Sequence, residues 1–155
     1  KFFPKIFLVL LLIGACAGST SGGVKIIRYQ LLIKNSLNEI KKLIHPKAVI
    51  PVRHNGKAVS NEIISKIASF VMLYMLIFIV ASVLLAIAGL DLSSSLGAVG
   101  ACLANIGPGL GTTGPATNYT EVPVLGKWIL SIVMLLGRLE LFTVLILFSP
   151  SFWKR

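Results

Sequence analysis

Charge is scarce in this chain, and negative charge most of all. Only 13% of its 155 residues are charged, with five Asp or Glu against fifteen Lys or Arg. Hydrophobic residues make up 55% and the mean hydropathy is +0.90. That balance excludes an ordinary water-soluble domain and leaves most of the chain solvated by lipid or by other helices. Cysteine is nearly missing too. Cys16 and Cys102 lie in apolar surroundings without CxxC spacing, which argues for buried thiols over a disulfide or a metal pair. His45 and His54 have no partners at ligand spacing, and no nucleophile–base–acid grouping supports an enzyme. The basic excess comes without aromatic interleaving or a nucleic-acid motif, so no nucleic acid is expected as a partner.

The charge that is present is unevenly placed. Residues 25–66 carry nine Lys or Arg and two Glu, whereas residues 91–126 carry no basic residue and two acidic ones, Asp91 and Glu121. Short basic loops stay cytoplasmic. The 25–66 stretch and the Lys154-Arg155 tail are therefore expected inside, and the 91–126 stretch outside. The chain opens at Lys1 directly into an apolar helix, which reads as part of something longer. A signal peptide fits poorly: Ala15-Cys16-Ala17 has the small-residue texture of a cleavage site, but a basic helix follows instead of a secreted domain.

Hydrophobic periodicity orders the rest. Residues 6–13 are strongly apolar; residues 14–23, Gly14 to Gly23, are small and polar, and the helix should break there. Residues 24–44 resume as an amphipathic helix that His45-Pro46 ends. A polar connector over 45–60 holds a tight turn at Asn55-Gly56. Within the spanning helix expected over 63–90, residues 67–90 are uncharged, long enough to cross about 30 Å of hydrocarbon. Asp91 to Ser95 supplies capping residues for a short helix over 93–104. A second spanning helix is expected over 126–149, with Trp128 and Trp153 as interfacial anchors, followed by a tail at 150–155.

Between those two spans the short apolar helix dissolves into Asn105-Ile106-Gly107-Pro108-Gly109. Side-chain-poor backbone at membrane depth is tolerated only where it is buried in protein or lines a watery path. The arrangement reads as a re-entrant pore loop. A dehydrated cation needs a ring of oxygens, and backbone carbonyls supply them without a trapping charge. Gly107 and Gly109 would permit unusual dihedrals while Pro108 stiffens the turn. The preceding helix would aim its partly negative end at the ion. The other reading is a Gly-rich helix contact or an external loop, and one such loop cannot encircle an ion alone. Arg138 falls within the last apolar segment, where a central Arg costs about 2.5–3.5 kcal/mol on insertion scales. It should face a polar interior. Glu140, two positions on, points to a different side.

Three short motifs carry little. Gly109 to Gly114 matches GxGxxG without a βαβ unit or a following acidic residue. Gly18 to Lys25 has the look of a phosphate loop with the wrong spacing. Asn118-Tyr119-Thr120 fits a glycosylation acceptor on the outer side, a weak three-residue match.

Four ordered motifs carry a resemblance that covers the whole chain: Gly14-Ala15-Cys16-Ala17-Gly18-Ser19-Thr20-Ser21-Gly22-Gly23-Val24-Lys25, His45-Pro46-Lys47-Ala48-Val49, Asn105 to Gly111, and Leu136-Gly137-Arg138-Leu139-Glu140. Together they resemble the C-terminal portion of the TrkH-type membrane subunit of bacterial potassium uptake systems. The resemblance implies an all-α integral membrane protein of the inner membrane, built from membrane-pore-membrane repeats as potassium channels are. Residues 1–44 would be the second transmembrane helix of the third repeat, with an intramembrane gating loop at 14–24. Residues 61–149 would be the fourth repeat, with its filter loop at 105–111 and its filter glycine at Gly107. Arg138 would meet the gating loop and help set a barrier to permeation. Potassium would be the transported ion, and no catalytic residue or bound cofactor is implied. The implied partners are the remaining repeats of the same polypeptide, a second copy of the membrane subunit, a cytosolic nucleotide-binding regulatory subunit of the TrkA type, and lipid. The alternative from a different class is a membrane scaffold whose basic inner segment docks a cytosolic regulator or anionic lipid.

Overall fold

A computed structural model describes residues 23–45, 50–114 and 118–139, together with Ile6, Leu141, Ile146 and Trp153. Two long elements frame it: helix α1, Ile26–Ile44, and helix α2, Asn61–Ile87. Leu31 is the buried residue of α1, and Lys41 and Lys42 occupy its last turn, where positive charge complements the carbonyl end of the helix dipole. His45 ends the helix by donating its backbone N–H to the Lys41 carbonyl at 2.9 Å. A two-stranded hairpin follows, β1 at Arg53–His54 and β2 at Lys57–Ala58. Its turn falls at Asn55-Gly56, with φ of 48° and 79°. Two successive left-handed residues define the type I′ turn that Asn-Gly favours.

The charge-poor segment forms α2, and its buried positions Phe70, Tyr74, Phe78, Ala81, Ser82 and Leu85 recur at three- and four-residue spacing, as one face of a helix must. Met72, Leu76, Ile79, Val83 and Ile87 on other faces are more than half exposed. Among the described residues, α2 is the helix long and apolar enough to cross a membrane; its 27 residues span about 40 Å. Two contacts join α1 to it. The Arg28 guanidinium lies 4.0 Å from the Phe70 ring centroid, a cation–π contact. Leu31, Val52 and Ile64 form a small apolar cluster beneath the hairpin.

Helix α3, Leu92–Leu103, begins where Asp91 caps it by accepting the Ser93 N–H at 3.2 Å. At 12 residues it is about 18 Å long, too short to cross the hydrocarbon. Nearly all of it is buried: Ser94, Ser95 and every residue from Gly97 to Leu103. It forms the centre of the main core, against Phe70, Tyr74 and Leu85 of α2 and Leu130 and Val133 of α4, Val124–Arg138. Val24, at the start of the described chain, is fully buried in the same cluster. The buried stripe of α4 is Gly126, Leu130, Val133 and Gly137.

The last apolar segment is described in part. It was expected as one helix over 126–149, with Arg138 well inside it. In the structure the continuous helix α4 runs to Arg138, Leu139 departs from it at φ −87° and ψ 12°, and Leu141 and Ile146 beyond are again helical. The departure comes two residues after Gly137, whose backbone abuts the Leu103 carbonyl of α3. Glu140 lies outside the described residues.

Tyr74 is 1% exposed, and its hydroxyl has no hydrogen-bond partner among the described residues. A buried, unpaired hydroxyl costs about 1–3 kcal/mol. Tyr74→Phe in the full-length protein should therefore leave thermal stability in detergent unchanged or raise it, whereas Tyr74→Ala should lower it sharply by opening a cavity.

Candidate functional site: the loop at the end of the short helix

The decisive geometry is how α3 stops. Ala104 caps it, and Asn105 turns left-handed at φ 55°. The Ile106 N–H donates to the Ala101 carbonyl at 2.9 Å and the Asn105 N–H to the Cys102 carbonyl at 3.1 Å. These are the paired bonds of a Schellman motif. Helix α2 ends the same way, with Gly89 at φ 103° and bonds from Gly89 to Ala86 and from Leu90 to Leu85. Asn replaces Gly at the second site for a reason: its side-chain amide donates to the Met134 carbonyl at 3.3 Å. The residue that ends α3 also ties the loop to α4.

Beyond Asn105, Ile106, Gly107 and Pro108 are exposed and Gly109 is buried. Gly107 has φ 104°, and nothing lies within 4 Å of where its Cβ would be. Its glycine is required by backbone conformation. Gly109 differs from expectation, since its φ lies outside the positive region. A Cβ there would sit 2.5 Å from Thr113 Oγ1 and 3.1 Å from the Gly97 carbonyl. Space, not dihedral freedom, makes it glycine.

The return limb of the loop packs along α3. The Gly109 N–H donates to the Thr113 carbonyl at 2.8 Å, and the Thr112 N–H donates to Ser94 Oγ at 3.1 Å. Gly97 lets this limb in, because a Cβ on it would meet Leu110 N and Leu110 Cβ at 2.5 Å. At the base of α3 two further segments converge. Gly23 lies so close that a Cβ on it would be 3.5 Å from Ala104 Cα. Gly137 of α4 abuts the Leu103 carbonyl, leaving no room for any side chain. Gly23 and Gly137 thus flank one helix end; Arg138, the other described member of the expected gate, is the next residue along α4 and is exposed. Gly14, Ala15, Cys16, Ala17, Gly18, Ser19, Thr20, Ser21 and Gly22 lie outside the described residues, as do Pro46 to Val49.

Sequence reasoning missed two participants. Gly137 could have been found as a small residue in a helix of large ones, directly before an unusual Arg. Tyr119 was noticed only within a glycosylation triplet. It lies in a 3-10 turn, Tyr119–Glu121, and its hydroxyl donates to the Gly107 carbonyl at 2.8 Å. Burial pushes its phenol above the ordinary range, so it remains a donor throughout physiological pH. Cys102 of α3 lines the same cavity as Tyr119. Lys127, in the first turn of α4, donates to the Thr120 carbonyl at 3.3 Å. A cavity of about 310 Å³ lies behind the loop among Cys102, Gly107, Tyr119, Lys127 and Met134. Among the described residues no group of His, Cys, Asp or Glu could hold a resident metal ion.

A long uncharged helix packed on a short buried one that ends in a stripped loop is the architecture of a helical membrane protein, and comparison with known proteins supplies the family. Residues 3–155 match the family model described as TrkH, a cation transport protein. The chain belongs to the TrkH family. It is 43% identical to the Trk system potassium uptake protein TrkH of Escherichia coli K12, over 99% of this chain and 31% of that protein. Its identity to the Trk system potassium uptake protein TrkI of Halomonas elongata is 38%, over 96% and 30%. The fold matches the crystal structure of the potassium transporter TrkH from Vibrio parahaemolyticus with a TM-score of 0.87 and 41% identity, covering 99% of this chain and 32% of that one. The chain spans about a third of the length of these relatives.

Gly137→Ala tests the packing at the helix base. It should destabilise the full-length protein by about 1–3 kcal/mol, as overpacking does, because the obstructing atom is backbone. Loss of detergent-extracted, folded protein on heating is the measurement.

Proposed function

We propose that this chain forms the last quarter of a potassium pathway through the bacterial inner membrane, with residues 105–109 as one side of the selectivity filter. The observation that carries the reading is the alternation of backbone handedness there. Asn105 and Gly107 have positive φ, Ile106 does not, and Pro108 is held negative by its ring. In an extended strand successive carbonyls point to opposite sides; alternating handedness turns them toward one side. Oxygens gathered that way can replace the hydration shell of a monovalent cation. The exposure of Ile106, Gly107 and Pro108 leaves the face open to the rest of the polypeptide. The names of the relatives, potassium uptake proteins, supply the ion.

In this reading residues 61–149 are the fourth membrane-pore-membrane repeat, α3 its pore helix, and residues 1–44 the second transmembrane helix of the third repeat. The 14–24 stretch is an intramembrane gate beneath the filter. The placement of Gly23 against Ala104 and of Gly137 against Leu103 supports this, because loop and Arg138 then approach the same point of the path. An Arg side chain has five N–H donors and can hold exposed loop carbonyls in a shut arrangement. The basic face of α1 lies inside the cell, where a nucleotide-binding regulatory subunit controls gating, and the membrane subunit works as a dimer. The protein moves potassium and performs no chemistry on it.

Expression of the full-length protein in cells lacking potassium uptake should restore growth at low potassium. Gly107→Ser should keep the protein in the membrane and cut potassium-over-sodium discrimination several-fold, since its φ of 104° is costly for any side chain. Rescue that survives with an unchanged ion ratio would sink the filter assignment and favour the scaffold reading. Arg138→Ala should raise potassium flux; equal or lower flux in an inserted variant would remove Arg138 from the gate.

A further inference from the structure

The outer loop holds an element that the filter reading does not account for. Tyr119 lies 12 residues beyond Gly107 in sequence, yet its hydroxyl donates to the Gly107 carbonyl at 2.8 Å. That carbonyl belongs to the residue with the least steric support in the loop, since no atom lies within 4 Å of its missing Cβ. A glycine peptide in open space rotates easily about its flanking bonds. The tyrosine is itself held from three sides. Its 3-10 turn is closed by the Val122 N–H bonding back to the Tyr119 carbonyl at 3.3 Å. Asn118 begins the turn by accepting the Thr120 N–H at 3.3 Å, and Lys127 grips the Thr120 carbonyl from α4. The result is a rigid strut from the α4 N-terminus, over a 310 Å³ cavity, to a single filter peptide.

We propose that Tyr119 is a positioning residue for ion selection: its hydroxyl fixes the orientation of the Gly107 peptide and thereby the size and number of carbonyl ligands offered to the ion. This rests on the assignment of residues 105–109 as filter. A carbonyl oxygen has two lone pairs, so the bond to Tyr119 occupies one and restrains the direction of the other. A merely structural tyrosine would contribute through its ring, which Tyr119→Phe preserves. A positioning tyrosine contributes through its oxygen, which Tyr119→Phe removes.

The test uses the full-length protein in membranes, with uptake of potassium, rubidium and sodium measured for the unmodified protein, Tyr119→Phe, Lys127→Met and Gly107→Ser. Tyr119→Phe should lower potassium-over-sodium discrimination about threefold or more while its melting temperature in detergent stays within about two degrees. Lys127→Met, which frees the turn but keeps the hydroxyl, should shift the ratio in the same direction by less. If Gly107→Ser changes the ratio and Tyr119→Phe does not, the strut is overturned and the filter assignment stands. If neither changes it, the filter assignment itself fails. A ratio altered only in step with lost thermal stability would also overturn the proposal, reducing Tyr119 to packing.

Discussion

The end of α3 is the constraint on which the rest of this structure depends. A helix buried on all sides cannot leave its last carbonyls to water, and apolar side chains offer them nothing. The chain satisfies two of them at once by turning left-handed at Asn105, so that the N–H groups of Asn105 and Ile106 fold back onto Cys102 and Ala101. That turn sends the following residues out along an exposed path and leaves the helix end pointing at it. A loop launched this way needs neighbours that come close without filling the space, which explains the glycines at 97 and 137 better than any propensity does. Each admits another backbone where a methyl group would collide.

Small residues and large ones divide the labour accordingly. Tyr74, Leu85, Leu103 and Val99, all at most 1% exposed, fill the volume between the helices and fix their separation. Glycine, alanine and serine line the contact between α3 and its returning loop. An apolar groove of about 290 Å³ runs along the outside, between Leu76, Val80 and Leu84 of α2 and Ile129, Ile132 and Leu136 of α4. Its lining suits hydrocarbon or the side chains of another helix. The inner face is committed to backbone geometry and the outer face to apolar bulk.

How much of this could be read from the sequence depends on which physical force fixes each feature. Composition and uncharged length located α2, and Asp91 marked the start of α3, because burial and capping leave one-dimensional signatures. The Asn55-Gly56 turn was legible for the same reason. The loop after Leu103 announced itself through lack of side chains. Long-range backbone contacts left no such trace. Nothing local indicates that Gly137 touches Leu103, or that Gly109 is glycine because of Thr113 and Gly97. Tyr119 sat in plain view in a triplet that pointed elsewhere. Its hydroxyl matters only because the chain folds back over twelve residues. The break after Arg138 was hidden too, since residues 128–137 are continuously apolar apart from Ser131 and small Gly137.

The position of Arg138 shows why that break matters. A charge in the middle of a regular helix must be matched by a neighbour or cost about 2.5–3.5 kcal/mol. At the last turn of α4 the same guanidinium stands where unsatisfied carbonyls accumulate and the dipole is negative, so part of that cost is offset by the helix that carries it. The adjacent Gly137 brings this helix end against the Leu103 carbonyl, and Gly23 approaches Ala104 from another side. The backbones of α3, α4 and Gly23 therefore come together in one small volume, where glycine admits the close approach.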